Sequence, residues 1–287
     1  MLPSACSRCG GRGWIVEDDG GQGAARPCDC RAETLQTRRF DAARVPLRYR
    51  SCRFDSFKTA SPDPAVKAQL MEALAKCRRY VEAFVEPGGG FRESGLLLIG
   101  PPGGGKTHLA VATLTELIER YRVRGRFVEL TSLFRQLQNT FDPGSPQSQR
   151  EILDPVLEAE LLVLDELGAQ NPTPWVHDVL YLIINTRYTR RLPTLFTTNY
   201  RLEPAKKPPP RKAAGRGTGA ARRHVPMEFD RTADEPPPPP AAESHRALLG
   251  HRLPPSLVSR LCEMAAPVLL DVADDYRREL LMHRHRV

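Results

Sequence analysis

Residues 100–110 read GPPGGGKTHLA, with Gly100, four intervening residues, then Gly105, Lys106 and Thr107. That spacing fits a phosphate-binding loop, and it lies between an apolar run and a helical pattern, the context the motif requires. Glycines let backbone N–H groups curl around phosphate oxygens, and the following helix N-terminus adds a positive dipole. Lys106 is placed to reach the β and γ phosphates, and the Thr107 hydroxyl to help hold Mg²⁺. The candidate nucleotide-binding set is Gly100, Pro101, Pro102, Gly103, Gly104, Gly105, Lys106, Thr107 and His108.

A second stretch, LLVLDEL at 161–167, ends an apolar run in two carboxylates. Ligands bind at the carboxyl end of a parallel sheet, so Asp165 is the expected Mg²⁺ partner and Glu166 the group that orients and deprotonates an attacking water. Nucleotide kinases share the loop, and they need a lid and a second, arginine-lined pocket. Here TTN at 197–199 offers Asn199 beside the attacking water, and VSRL at 258–261 offers Arg260 on a predicted helix. Both favour hydrolysis coupled to assembly over transfer to a small molecule.

Four of the seven cysteines fall within the first 30 residues, as Cys6, Cys9, Cys28 and Cys30. A C-x-x-C pair followed by C-x-C can close a tetrahedral structural Zn²⁺ site with no open position for chemistry. The alternative is a set of reduced spectator thiols. Cys52, Cys77 and Cys262 are scattered and read as small core residues.

These groups need a scaffold, and the sequence outlines one. GLLLIG (95–100), RFVEL (126–130), LLVLD (161–165), PTLFTT (193–198) and PVLLDV (267–272) are short apolar runs. They alternate with helical patterns such as 107–120 and 175–188, which predicts a three-layer α/β domain around a parallel sheet. Val66, Leu70, Leu74, Cys77, Val81 and Phe84 recur at helical spacing, predicting an amphipathic helix that EPGGG ends. Residues 1–40 hold too few apolar side chains to fold without a staple. Ten of the 27 prolines crowd into 201–246 among Lys, Arg, Ala and Gly, which reads as a disordered basic insertion. The net charge of +8 favours polyanionic partners. No leader or membrane-spanning run is evident, so a cytoplasmic protein is expected.

With these residues in place, the chain resembles the DnaC/DnaI-type bacterial helicase loaders of the AAA+ ATPases, with the IstB transposition ATPases as close relatives. LLLIGPPGGGKTHLA, LLVLDELG, Trp175 with IINTRY at 183–188, TTN and SRL occur in the family's order. The resemblance implies ATP bound at a subunit boundary, with Asn199 as the first sensor, Arg260 as a finger inserted into the neighbouring subunit's site, and Arg277 as a second sensor. It places FDSF at 54–57 near the adenine. It also implies division into a zinc-binding adaptor (1–40), a linker with an amphipathic helix (41–90), an ATPase core (91–200), the insertion (201–246) and a C-terminal part (247–287). The function implied is ATP-dependent loading of a hexameric replicative helicase onto single-stranded DNA, with self-association through AAA+ interfaces. An IstB-like ATPase assisting a transposase on duplex DNA is the alternative. Two features depart from the family: Gly104, where a bulkier residue is usual, and the length of the insertion.

Overall fold

The computed structural model of the chain describes residues 6–10, 12–17, 24–142, 144–202 and 248–270. Strands β1 (Trp14–Glu17) and β2 (Ala24–Pro27) form an antiparallel hairpin, and helix α1 (Asp29–Ala42) follows. Then come α2 (Pro64–Glu82), β3 (Gly95–Ile99), α3 (Lys106–Tyr121), β4 (Gly125–Glu129), α4 (Leu130–Asn139) and α5 (Gln149–Leu157). The remaining elements are β5 (Leu161–Asp165), α6 (Pro174–Thr189), β6 (Thr194–Thr198), α7 (Pro255–Met264) and β7 (Ala265–Leu269).

Five of the strands form one sheet in the order β4-β5-β6-β3-β7, and every pairing is parallel. Each central strand reads as an unbroken apolar run because it is buried on both faces. Successive side chains divide between two cores. Leu96, Leu98, Leu161, Val163 and Leu195 point to the face covered by α1, α2 and α3. Leu97, Ile99, Leu162, Leu164 and Phe196 point to the face covered by α4 to α7. The result is an α/β fold of three layers.

Local signals set the helix ends. Asp63 caps α2 by accepting from the Ala65 N–H, with Pro64 in the first turn, where its missing N–H costs nothing. Ser148 and Glu151 form a reciprocal capping box at α5. Strand β7 begins two residues earlier than its apolar run implies and carries Pro267 in its interior. An edge strand tolerates a residue without an N–H there, because the outer side has no ladder to complete. Cys52 and Cys77 are buried as expected, but Cys262 is exposed, since α7 turns Leu257, Leu261 and Met264 inward and leaves Cys262 on the outer side.

The flanks of the proline-rich segment meet: Leu249 N–H donates to the Arg201 carbonyl at 2.7 Å, and Arg201 bridges Leu248. Residues 203–247, which hold most of the expected insertion, lie outside the described residues. The chain therefore leaves the core just after β6 and re-enters at the same point.

Among the described residues the largest fully buried side chain is Arg187, in the IINTRY stretch of α6. Its guanidinium donates to the carbonyls of Val156 (3.2 Å), Leu157 (3.5 Å), Ala159 (2.8 Å) and Pro193 (2.8 Å), and its Nε to Thr194 Oγ1 (2.8 Å). These include carbonyls at the end of α5, which have no intrahelical donor. One side chain thereby ties α5, α6 and the start of β6. Arg187→Met keeps the bulk but strands those acceptors, so it is expected to lower unfolding free energy by about 3 kcal/mol. Urea denaturation checks this, and a loss below about 1 kcal/mol would show that water satisfies the site.

Candidate functional site

Strand β3 is flanked by β6 on one side and β7 on the other. The chain leaving β3 passes through α3 to β4 at one edge, whereas the chain leaving β6 crosses to β7 on the opposite side. A crevice opens at such a switch point beyond the carboxyl ends of the strands, and the glycine-rich loop follows β3 directly into it.

Gly100 is held between backbones on both sides: its N–H donates to the Thr198 carbonyl at 3.2 Å, and Leu270 N–H donates to Ile99 at 2.7 Å. A Cβ at Gly100 meets the Leu270 carbonyl oxygen at 2.1 Å, so only glycine fits. Gly103 (φ +83°) and Gly105 (φ +87°) take left-handed conformations that turn the loop into α3. Gly104 has no positive φ, so its backbone makes no demand for glycine. Lys106 is buried at the start of α3, with Nζ donating to the Pro101 carbonyl at 2.7 Å.

Asp165 ends β5 and is 3% exposed. Its Oδ1 accepts from Thr107 Oγ1 at 2.9 Å and from Thr197 Oγ1 at 2.6 Å. Burial pushes the carboxyl up from its ordinary range, and the two hydroxyls and Lys106 oppose that shift. Thr197 also accepts from the Glu166 N–H at 2.9 Å, so its single hydroxyl links both acidic residues. Glu166 itself is exposed, on a backbone at φ +63°. A non-glycine residue in that conformation is strained, and the Thr197 bond helps hold it. Asn199 is half-buried immediately after β6, whose Thr198 is the register partner of Ile99, so it stands beside the start of the loop.

The residues present fit a nucleotide with Mg²⁺. The loop supplies a glycine cradle and a helix N-terminus, Lys106 a cation, and Thr107 with Asp165 a hard-oxygen pair already within hydrogen-bond distance. His108 turns the other way, toward the linker. Its Nε2 donates to the Arg53 carbonyl at 2.9 Å and lies 3.2 Å from Ser56 Oγ, and its ring meets Phe57 edge-on. Within FDSF, Phe54 is buried in the core, whereas Phe57 packs so close to Gly105 that an added Cβ meets its ring at 2.6 Å.

Arg260 lies on α7 and contacts α6 rather than the loop. Its guanidinium sits over Tyr181 (4.9 Å) and Tyr188 (5.9 Å), and Nη2 donates to Tyr181 Oη at 3.3 Å. Tyr188 is in turn bonded to Glu263 at 2.8 Å. Arg277 lies outside the described residues. Sequence reasoning passed over two residues near the site. Thr197 was visible only as a hydroxyl inside an apolar strand. Arg252 bonds the carbonyls of Gly168 (2.9 Å) and Gln170 (2.8 Å), bracing the turn that follows Glu166, and no motif marks it.

The four N-terminal sulfurs converge to within 4.8 Å of one another, with Cys6 and Cys28 at 3.8 Å and Cys9 and Cys30 at 3.4 Å. A zinc ion at about 2.3 Å from each sulfur spaces them roughly 3.8 Å apart, so the cluster fits. The amides of Arg8 and Cys9 lower the Cys6 thiol, whereas Cys30, crowded by Cys9 and Cys28, is raised. Zinc binding would require all four as thiolates, so its affinity would fall as pH falls.

Because the Thr197 hydroxyl holds both acids, Thr197→Val is expected to cut ATP turnover roughly tenfold while the fold is retained. Steady-state hydrolysis, with circular dichroism as the folding control, checks this. Unchanged turnover would show that the hydroxyl is dispensable.

Comparison with known proteins agrees with this geometry. The chain is 28% identical over 193 residues to the replicative helicase loader DnaC of Escherichia coli, covering 66% of this chain and 72% of that protein. It is 27% identical over 203 residues to the phage-like element PBSX protein XkdC of Bacillus subtilis, covering 69% and 73%. The crystal structure of the DnaC helicase loader superposes with a TM-score of 0.53 at 27% identity, over 78% of this chain and 99% of that one. The sequence profile of IstB-like ATP-binding proteins matches residues 56–206, a span that contains the loop, both carboxylates and Asn199. The chain therefore belongs to the IstB-like ATP-binding protein family, a family of AAA+ ATPases.

Proposed function

We propose that this ATPase loads a hexameric replicative helicase onto single-stranded DNA. The observation that carries the reading is the pairing of a complete phosphate-and-carboxylate site with likeness to DnaC over 72% of that loader's length. Among the described residues no helix is long and apolar enough to cross a membrane, and the proposal places the protein with the replication machinery in the cytoplasm.

In this reading the backbone of 100–105 and Lys106 bind the phosphates, and Thr107 and Asp165 hold Mg²⁺. The bound metal neutralises charge on the phosphate oxygens. Glu166, exposed at the strand end, orients the attacking water and takes its proton, and Asn199 fixes that water from the β6 side. Arg260 completes the site of a neighbouring subunit. In the single chain its guanidinium rests on two tyrosines of α6, a flat and reversible seat from which it can be withdrawn on assembly. Arg277 is assigned to the chain's own nucleotide. The zinc-bound hairpin is assigned to gripping the helicase, and nucleotide state to setting when the loader lets go.

The test is ATP hydrolysis by the zinc-loaded protein with the host's replicative helicase and single-stranded DNA, against duplex DNA. Stimulation by single strands together with a helicase complex is expected. Preference for duplex DNA without helicase binding would instead indicate a transposition ATPase. Under the stimulating conditions Glu166→Gln is expected to bind ATP normally and hydrolyse it roughly 10²-fold more slowly. Arg260→Ala is expected to lose on the order of 10³-fold in the assembled state with ATP affinity preserved, and normal turnover would overturn the finger assignment. Cys9→Ser, or zinc removal by a chelator, is expected to abolish helicase binding while leaving nucleotide binding intact, as read by pull-down and fluorescent-nucleotide titration.

A further inference from the structure

Strand β4 forms one edge of the sheet, and the linker runs beside it, with Phe127 N–H donating to the Ala43 carbonyl at 2.7 Å. Between this linker, β4, α4 and α5 lies a cavity of about 240 Å³. Its walls include Arg44, Arg126, Ser132, Gln136 and Gln147, and none of the loop residues, Asp165, Glu166 or Asn199 borders it.

The cavity's two arginines and two carboxylates balance in number but not in partners. Its two carboxylates are already engaged with helix ends. Glu129 accepts from the N–H groups of Thr131 and Ser132 at the start of α4, and Glu151 accepts from Ser148 N–H at the start of α5. The two arginines have no such partners. Among the described residues neither the Arg44 nor the Arg126 guanidinium makes a hydrogen bond or an ion pair, and Arg126 Nε is shielded from solvent with nothing to donate to.

The contrast with the protein's other arginines is direct. Arg187 is fully buried and its donors are met by carbonyls and a hydroxyl, whereas Arg124 and Arg150 pair with Glu160 and Asp154. Arg260 also keeps a shielded nitrogen without a hydrogen bond, but its plane is stacked on tyrosines. Arg126 has neither an acid nor a ring. Burial, and then the neighbouring Arg44, push its guanidinium below the ordinary range. A shielded guanidinium nitrogen without an acceptor carries a desolvation cost, and an anion seated between Arg126 and Arg44 would offset it, because the cavity's own carboxylates are turned to helix ends.

We propose that the cavity bordered by Arg44 and Arg126 is a phosphate-binding site, separate from the ATP site. Paired guanidinium groups match the several oxygens of a dianionic phosphate, and Ser132, Gln136 and Gln147 add neutral donors around it. The phosphate belongs either to a small phosphorylated molecule or to a nucleic-acid strand, and both present the same group to the arginines. The proposal does not depend on the helicase-loading reading.

The experiment uses the full, zinc-loaded chain saturated with Mg²⁺ and a non-hydrolysable ATP analogue, so that the glycine-rich loop is already filled. Inorganic phosphate is titrated at constant ionic strength against chloride. A 5′-phosphorylated single-stranded oligonucleotide is titrated in a second arm. Affinity is read by calorimetry and the thermal midpoint by scanning fluorimetry. Phosphate is expected to raise the midpoint beyond the chloride control. Arg126→Met is expected to weaken binding at least tenfold without lowering the midpoint in chloride. Arg44→Ala, at the exposed rim, is expected to weaken it several-fold, and it serves as the readout if Arg126→Met fails to fold. An arginine-dependent response to inorganic phosphate assigns a small phosphorylated ligand. A response confined to the oligonucleotide assigns a nucleic-acid strand. Equal binding by wild type and both variants, or no response beyond chloride from either probe, overturns the proposal.

Discussion

A carboxylate at the carboxyl end of β5 sets the arrangement of the site. Asp165 is buried enough that its charged form is disfavoured, and two threonine hydroxyls, one from the first turn of α3 and one from β6, meet on a single oxygen to hold it. This convergence requires β5, β6 and β3 to lie in one parallel register, with the loop after β3 turning tightly enough to bring Thr107 over β5. The glycines at 100, 103 and 105 make that turn possible, since Gly100 has carbonyl groups closing on it and the other two take left-handed backbone. Two levels of structure thus reinforce each other: the sheet positions the carboxylate, and the carboxylate ties α3 back to the sheet.

The surrounding parts fasten to this centre at its edges. The linker lays Phe57 against Gly105 and is held there by His108, so any change in the course of residues 53–57 reaches the phosphate loop. On the opposite side Arg252 braces the turn after Glu166, which carries the strained φ of that residue. Arg252 belongs to the chain that resumes after the proline-rich segment, whose flanks meet at Arg201 and Leu249. A long connection between two such adjacent points costs the fold little, because loop-closure entropy grows only slowly with length.

Much of this was legible in the sequence, for reasons that differ by residue. The strands at 95–99 and 161–165 could be read almost to the residue, because burial on both faces leaves an unbroken apolar run. The loop was legible because its chemistry needs glycine, lysine and a hydroxyl at fixed neighbouring positions. The hairpin of β1 and β2 was not, since its strands are only four residues each and the pairing draws on a cysteine cluster at one end. Nor was Cys262's exposure, which depends on the face α7 turns outward.

The sequence by itself determined the chemical identity of the nucleotide site, the helix and strand periods, and the candidate zinc ligands, since each rests on residues close together along the chain. Tertiary structure alone decided the strand order, and with it that Thr197 binds Asp165, that Arg187 closes the end of α5, and that Arg44 and Arg126 line one cavity whose carboxylates are engaged elsewhere. The physical reason is the same in each case. A hydrogen bond or an unmet donor is a property of distances in space, and residues far apart along the chain acquire a distance only when the sheet has chosen its neighbours.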